Sequence, residues 1–397
     1  MNVGVTEIEG LDHSQRVDSI LAMVQDILTE MGIVDVTPDS VIAAPPFYDG
    51  RVLIQDTDRV NRFIFQFALK VRFIGYSVND VAFLTVRQLC ELYLRDSYPE
   101  TPSVPLTDDQ YELGRNRERK RAGVVKKDFP ICFVLGCGRS GTTLLRTMLN
   151  VHEELWAPGE LHLAHFESMA DRARNIVPLL RYMLVPEVAA RFGESIASFS
   201  KVLKKWELES LSVSEVYENL YEADPSTLIV DKTPTYSARL EDLKRIGQQF
   251  PNARFVYLVR SPHDVIRSLV RMQLYKGVLG LVEPGLNPYQ VGEVIWSSHN
   301  SNIQTFLGDV PNERKCTVRY EELVSDAETP LRRVCDLLDL SYDADMVDPY
   351  RKSPGKVALG AGDMYMNFLR RVENRTPSEA FYPIGMRCQN LADRYGY

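Results

Sequence analysis

The chain has 397 residues, 45% hydrophobic and 25% charged, which suits a globular protein with room for one large domain and a smaller one. Its net charge of −8 excludes a general nucleic-acid binder, whose footprint would be basic, and requires any anionic ligand to meet a local cluster of cations. No apolar run approaches transmembrane length, residues 1–16 are too polar for a signal peptide, and the cysteines at 90, 132, 137, 316, 335 and 388 lack metal-ligand spacing, which together predict a cytoplasmic protein with free thiols.

Residues 14–32 predict an amphipathic helix with Val17, Ile20, Leu21, Val24, Ile27, Leu28 and Met31 on one face. Residues 38–55, with Pro38, Pro45, Pro46 and Gly50, read as loop. A second helix is expected from about Val60 to Phe73, carrying Phe63, Ile64, Phe67 and Val71 inward. Thr85 reads as the N-cap of a third, bearing Val86, Leu89, Cys90 and Tyr93. In pattern alone, this small all-α domain over residues 1–97 resembles an acyl carrier protein. Carrier proteins attach phosphopantetheine to the serine of an Asp-Ser-Leu motif at the start of the second long helix. Here Asp58-Arg59-Val60 stands in the nearest register and Asp56-Thr57-Asp58 in a shifted one, and neither supplies the serine. Asp39-Ser40-Val41 contains one, but Pro45 and Pro46 follow it and no helix can start there. The segment reads as a carrier-like domain without the prosthetic group, able to dock a biosynthetic partner protein, or as a plain helical cap.

Residues 98–128 read as a linker around the charged run Arg115–Arg121, solvated by default, with a guide for an anionic partner as the lesser alternative. Residues 129–397 are expected to form the second domain. Ile131-Cys132-Phe133-Val134-Leu135 predicts a buried parallel strand, and Leu144, Leu145, Met148 and Leu149 then recur at helical spacing. Between them Gly136, Gly138 and Gly141 make a turn that points backbone N–H groups and a helix N-terminus at one spot, which suits a phosphate. The stretch resembles a nucleotide P-loop. That motif places lysine directly after its last glycine, whereas Thr142 stands there and Arg139 precedes the glycine.

Strands alternating with helices continue, so the fold class expected is α/β, a P-loop-like parallel sheet flanked by helices. Ala157-Pro158-Gly159-Glu160-Leu161-His162-Leu163 follows the first helix, and residues 165–222 are mainly helical. Thr227–Val230 reads as a strand ending on Asp231-Lys232-Thr233-Pro234-Thr235-Tyr236, and Arg254–Val259 as another ending on Arg260-Ser261-Pro262. Ligands in such sheets sit at the carboxyl ends of the strands. Arg139, Lys232 and Arg260 would therefore meet at one edge.

The GxxRSGTTLL form at 136–145 resembles that of sulfotransferases that use 3′-phosphoadenosine-5′-phosphosulfate (PAPS). The resemblance implies that Arg139, Ser140, Gly141, Thr142, Thr143 and Leu144 hold the 5′-phosphate and the transferring sulfonate. Arg260 with Ser268, two turns along the next helix, would hold the 3′-phosphate. Over 131 to about 300 the chain is similar to the sulfotransferase domains of olefin-forming, curacin-type polyketide synthases. The matching pieces are residues 157–163, 231–236, Asn287-Pro288-Tyr289 and Ile295-Trp296. More distantly its catalytic motifs resemble tyrosylprotein sulfotransferases, with Glu160 lying 21 residues after Arg139 where that family has its base. Tyr320, in Val318–Leu323, would lie near the adenine, and Gly360 and Gly362 would close over the nucleotide.

The expected reaction moves a sulfuryl group from PAPS to a hydroxyl of a hydrophobic natural-product, lipid or polyketide-like acceptor, small or carrier-bound, by in-line displacement. The desulfonated product is 3′-phosphoadenosine-5′-phosphate (PAP). Glu160, its pKa raised by partial burial, is the first candidate for the base and His162 the second. Arg139 and Lys232 would stabilise the leaving oxygen and the sulfonate. An ion pair with Asp231 is the plain alternative for Lys232, and no metal is implied. Arg351–Lys356 offers no acid–base group before the glycine loop, where polyketide-type domains are expected to carry one. No thioesterase follows, so decarboxylation is not expected of this chain. His299 reads as a surface histidine or a substitute polar group in the acceptor pocket. The rivals are a P-loop kinase or NTPase, with Asp231 on magnesium, and a carrier-like docking protein with an inactive catalytic domain.

Overall fold

The computed structural model describes residues 11–33, 35–43, 52–54, 63, 84–97, 99–111, 128–176, 181, 184–282, 284–352 and 379–397. The chain divides into two compact units. The first takes residues 1–102, 267–279 and 287–289; the second takes 103–266, 280–286 and 290–397.

In the first unit, α1 (His13–Glu30) starts at a reciprocal cap. The Asp12 carboxylate accepts from the Gln15 backbone N–H at 2.9 Å and the Gln15 side chain accepts from Asp12 N at 3.0 Å. Thr85 caps α2 (Val86–Ser97) in the same way with Gln88, as the sequence predicts. Val17, Ile20, Val24, Ile27 and Leu28 of α1 pack with Leu89, Cys90, Tyr93 and Leu94 in one core. The loop expected at 38–55 is corrected. Val41–Ala43 (β1) and Val52–Ile54 (β2) pair in parallel, so this unit is not all helical. Three-residue strands are too short for an alternation to show, and the prolines beside them dominate the pattern. Ile42 N also donates to Leu84 O at 2.9 Å, tying β1 to the start of α2. The helix expected at 60–73 lies outside the described residues, save for Phe63, which is buried in this core. So do the positions read for the carrier motif at 56–60 and the charged run at 115–121.

The second unit is built on five parallel strands in the order β4-β5-β3-β6-β7. They are β3 (Ile131–Leu135), β4 (Leu155–Trp156), β5 (Leu228–Lys232), β6 (Arg254–Val259) and β7 (Lys315–Arg319). β3 and β6 have the bounds the sequence predicts, because a parallel strand covered on both faces is a near-continuous apolar run, broken here only by half-buried Arg254 at the start of β6. Cys132 and Val134 pack against α3 (Thr142–Leu149) on one face, through Leu144, Leu145, Met148 and Leu149. Phe133 points to the other, into an aromatic layer with Tyr217, Tyr236, Phe250 and Phe255. Between β4 and β5 the chain forms the helices α4 (Met169–Asn175), α5 (Val185–Arg191), α6 (Ile196–Leu208) and α7 (Val213–Glu222). Then come α8 (Leu240–Gln249), α9 (Pro262–Arg271), α10 (Pro288–Gly308) and α11 (Tyr320–Ser325).

Glu293, fully buried on α10, accepts from Tyr111 OH, from Tyr382 OH at 3.1 Å and from Gly385 N at 2.8 Å. One carboxylate thus pins the described segments 103–111 and 379–397 to this helix, and burial pushes its pKa up. The last described helix is Met386–Asp393. Among the described residues no helix is long and apolar enough to cross a membrane.

Leu145 is fully buried between α3 and the sheet. Leu145→Ala should cost about 3 kcal/mol. Denaturant unfolding followed by tryptophan fluorescence reads this unit alone, since Trp156, Trp206 and Trp296 all lie in it.

Candidate active site

The chain visits β4 and β5 on one side of β3 and then crosses to β6 and β7 on the other, so the switch point lies at the carboxyl end of β3. Here Arg139 has φ +72° and Gly141 φ +95°. Left-handed residues on either side of Ser140 turn successive N–H groups inward, the geometry of an anion nest. Gly141 caps α3 without a side-chain bond, so the first N–H groups of that helix remain for a ligand. Ser140 Oγ is buried and has no hydrogen-bond partner. A Cβ on Gly136 would lie 2.7 Å from Leu258 O, and one on Gly141 2.3 Å from Tyr320 Cδ2. Both glycines are demanded by close packing as well as by the turn. Leu144 is in the core, so only its backbone can serve a ligand.

Arg260 leaves β6 beside this turn. Its Nη1 donates to Arg139 O at 3.2 Å, its guanidinium lies 4.2 Å over the Tyr320 ring, and Asp264 Oδ2 is 3.9 Å away. Trp296 Nε1 donates to Arg260 O at 3.1 Å and fixes the start of this segment. Arg139, Gly141, Arg260 and Tyr320 are thus brought together as the sequence predicts. Ser268 is buried two turns along α9, in the part of that helix that belongs to the first unit. Gly360 and Gly362 lie outside the described residues.

The acid–base cluster stands next to the turn. Lys232, at the end of β5, is aligned with Val134 of β3. Its Nζ donates to Glu160 Oε1 at 2.7 Å and to Thr143 Oγ1 at 3.4 Å. The side chains of Lys232 and Glu160 are only 1% and 11% exposed. The alternative pairing with Asp231 is corrected: the strand's alternation sends Asp231 to the opposite face. There it accepts from Tyr217 OH, from Tyr236 OH at 2.8 Å and from Thr233 Oγ1 at 2.9 Å. Three hydroxyl donors leave this carboxylate poorly placed to serve as a magnesium ligand. Glu160 is also corrected in one respect. Burial alone would raise its pKa, but the Lys232 ammonium beside it outweighs burial and brings it down to about 2. Desolvation lowers the Lys232 pKa despite Glu160.

His162 has φ +49°, a left-handed conformation for a residue with a side chain. Its Nε2 lies 3.3 Å from Glu160 Oε2. What holds this loop was not visible in the sequence. Arg172 of α4 is fully buried and donates Nε to His162 O at 3.1 Å, Nη1 to Arg181 O at 3.0 Å and Nη2 to Leu161 O at 3.5 Å. Tyr236 OH accepts from Leu163 N and Ala164 N at 3.1 Å each. An arginine in a short polar helix gives no signal that its guanidinium reads carbonyls. His299 is corrected too. It is buried on α10, not on the surface, and desolvation pushes its pKa down to about 4.

Residues 130–344 match the model of the Sulfotransferase family. The chain belongs to the sulfotransferase family. The structure is similar to the sulfotransferase domain from the curacin biosynthetic pathway, with 32% identity, a TM-score of 0.61, and coverage of 68% of this chain and 99% of that one. It is similar also to the sulfotransferase domain of the Synechococcus PCC 7002 olefin synthase, with 27% identity, a TM-score of 0.61, and coverage of 71% and 99%. Against a Drosophila melanogaster protein-tyrosine sulfotransferase the identity is 24% over 266 residues, 66% of this chain and 47% of the relative. A nodulation protein NoeE of Sinorhizobium fredii matches at 27%, over 54% and 50%. This sulfotransferase chain therefore spans about half the length of these two relatives.

The turn of this sulfotransferase has no room for a methyl group at Gly141. Gly141→Ala should cost roughly 1–3 kcal/mol in backbone strain and displace Tyr320, lowering the melting temperature of the second unit. Differential scanning calorimetry with tryptophan fluorescence checks it.

Proposed function

We propose that the chain transfers a sulfuryl group from PAPS to a hydroxyl of a hydrophobic natural-product, lipid or polyketide-like acceptor. The observation that carries this reading is the meeting, at one sheet edge, of an anion nest, a stacked arginine and a buried lysine–glutamate pair. The residues fit the nucleotide: Ser140 Oγ lacks a partner inside the nest, and Arg260 and Tyr320 stand beside it. Arg139, Ser140, Gly141, Thr142, Thr143 and Leu144 would hold the 5′-phosphate and sulfonate, Arg260 the 3′-phosphate, and Tyr320, Gly360 and Gly362 the nucleoside. When bound, PAPS supplies the activated sulfuryl group and an anionic leaving group.

Glu160 Oε2 takes the hydroxyl proton of the acceptor, and Lys232 Nζ neutralises charge on the departing oxygen. The two roles are linked. Lys232 sits between Glu160 and Thr143, at the start of α3. A shift of Nζ toward an anion in the nest takes away the charge that keeps the Glu160 pKa low and leaves burial, which raises it. No metal enters this scheme.

The acceptor class rests on the likeness to the curacin and olefin synthase domains. A mycobacterial omega-hydroxy-beta-dihydromenaquinone-9 sulfotransferase, matched at 26% over 262 residues, is consistent with a lipid-like hydroxyl. We assign residues 1–97 to a carrier-like domain that docks a biosynthetic partner, 98–128 to a linker and 129–397 to the catalytic domain. All six cysteines are free thiols, which fits a cytoplasmic location.

Thermal melts with PAP, and separately with ATP and magnesium, test the donor. A ligand at a hundred times its Kd adds about 2.7 kcal/mol, so PAP should raise the melting temperature of the wild type and not of Arg139→Ala or Arg260→Ala. A shift with ATP and magnesium instead would move the assignment to a kinase. Glu160→Gln should keep the PAP shift and slow sulfuryl transfer to 3-hydroxyacyl pantetheine thioesters or long-chain alcohols at least about 100-fold. Unchanged transfer would remove Glu160 as base.

A further inference from the structure

Behind Glu160 the polar contacts continue in one line. His162 Nδ1 lies 3.4 Å from Thr235 Oγ1, Thr235 Oγ1 lies 2.9 Å from His165 Nε2, and His165 Nδ1 lies 3.1 Å from Asp242 Oδ2. Glu160 and His162 are enclosed, with side chains 11% and 4% exposed. Thr235 is exposed and His165 half-buried, so the line runs from the buried base to solvent.

Its polarity is consistent at every link. If buried Asp242 takes the Nδ1 proton of His165, then His165 Nε2 is an acceptor for the Thr235 hydroxyl. Thr235 Oγ1 then accepts from His162 Nδ1–H, and His162 Nε2 is left with a lone pair. That nitrogen is buried, has no hydrogen-bond partner and faces Glu160 Oε2. Two acceptors facing each other at 3.3 Å make no bond while Glu160 is a carboxylate. They make a good one once Glu160 carries a proton.

We infer that His162, Thr235, His165 and Asp242 form a relay that carries the proton taken by Glu160 out to solvent, a reading that rests on Glu160 as the base. The O–H bond of the acceptor breaks and one forms on Glu160 Oε2. That proton passes to His162 Nε2, the Nδ1 proton of His162 passes to Thr235 Oγ1, and the Thr235 hydroxyl proton passes to His165 Nε2, whence it leaves to water. The carboxylate is restored and His162 is left with its proton on Nε2 in place of Nδ1; exchange of ring protons with water between turnovers returns the relay to its starting tautomer. His162 is thereby the partner of the base and not the base itself: one ring nitrogen is committed to Glu160 and the other to Thr235. Thr235 and His165 touch no reacting atom, and they act through His162.

Two measurements test this without knowledge of the acceptor. The first is 15N NMR of the histidine side chains at pH 8 in the ligand-free protein, with His162→Gln and His165→Gln used to assign the signals. The expected result is a neutral ring with the proton on Nδ1 at both positions; an Nε2–H tautomer or a doubly protonated ring at either overturns the relay. The second uses water as the acceptor and reads sulfate release from radiolabelled PAPS. Thr235→Val should slow release about tenfold, with the PAP melting shift unchanged, and Thr235→Ser should restore it. Slowing by Glu160→Gln with no effect of Thr235→Val sinks the relay and leaves the base in place. No effect of Glu160→Gln sinks the base assignment itself, and the relay with it.

Discussion

The ion pair between Lys232 and Glu160 is the interaction on which the site depends. Burying two charges costs several kcal/mol of hydration per ion, and only a close, well-oriented contact offsets it. The contact is 2.7 Å with both side chains almost wholly enclosed. It can form only because two constraints coincide. The alignment of β5 with β3 delivers Lys232 beside the turn. Meanwhile Arg172 and Tyr236 grip the backbone of 161–164, which presents Glu160 from the other side. Such a pair is weak support for stability, since apolar residues would fill the space as well. Its place beside the anion nest fits a role in which the partners separate.

The neighbouring turn follows the same economy of contacts. Arg139 and Gly141 both adopt left-handed backbone, and Tyr320 occupies the space a Cβ on Gly141 would need. The tyrosine is in turn stacked under Arg260, which bonds the Arg139 carbonyl. A change at any one of these residues is therefore felt by the other three. Under the proposed function, the nest, the stacked cation and the start of α3 act as one preorganised anion site, whose cost of ordering is met by the fold.

Much of this was legible in the residues themselves. The strands Ile131–Leu135 and Arg254–Val259 stood out because double-faced burial makes them near-continuous apolar runs, and the turn because glycine spacing encodes backbone shape. Arg139, Lys232 and Arg260 could be placed at one edge from strand order alone. What escaped depends on neighbours remote in sequence. Nothing near Asp231 announces that Tyr217 and Tyr236 saturate it, so its pairing with Lys232 remained a fair alternative. Nothing near Glu160 says that a lysine 72 positions on would reverse the effect of burial on its pKa. The short strands β1 and β2, the burial of His299 and the carbonyl contacts of Arg172 belong to the same group: each is decided by packing, not by periodicity.

The acidic character of the chain bears on how the site works. With a net charge of −8 the protein as a whole repels a polyanionic nucleotide, so attraction must be local. Yet in the ligand-free state Lys232 is engaged by Glu160, and Arg260 has Asp264 at 3.9 Å. Under the proposed function these carboxylates stand in for the anion and spare the cations the cost of isolation. An arriving phosphate or sulfonate competes for the same ammonium, and each step of Lys232 away from Glu160 leaves a carboxylate in a buried place with less positive charge beside it. That is the condition in which it binds a proton most readily. Under the proposed function, donor binding and activation of the base are then one event, read out by a single side chain, and a hydroxyl that enters before the donor meets a carboxylate still held by lysine and too weak to deprotonate it.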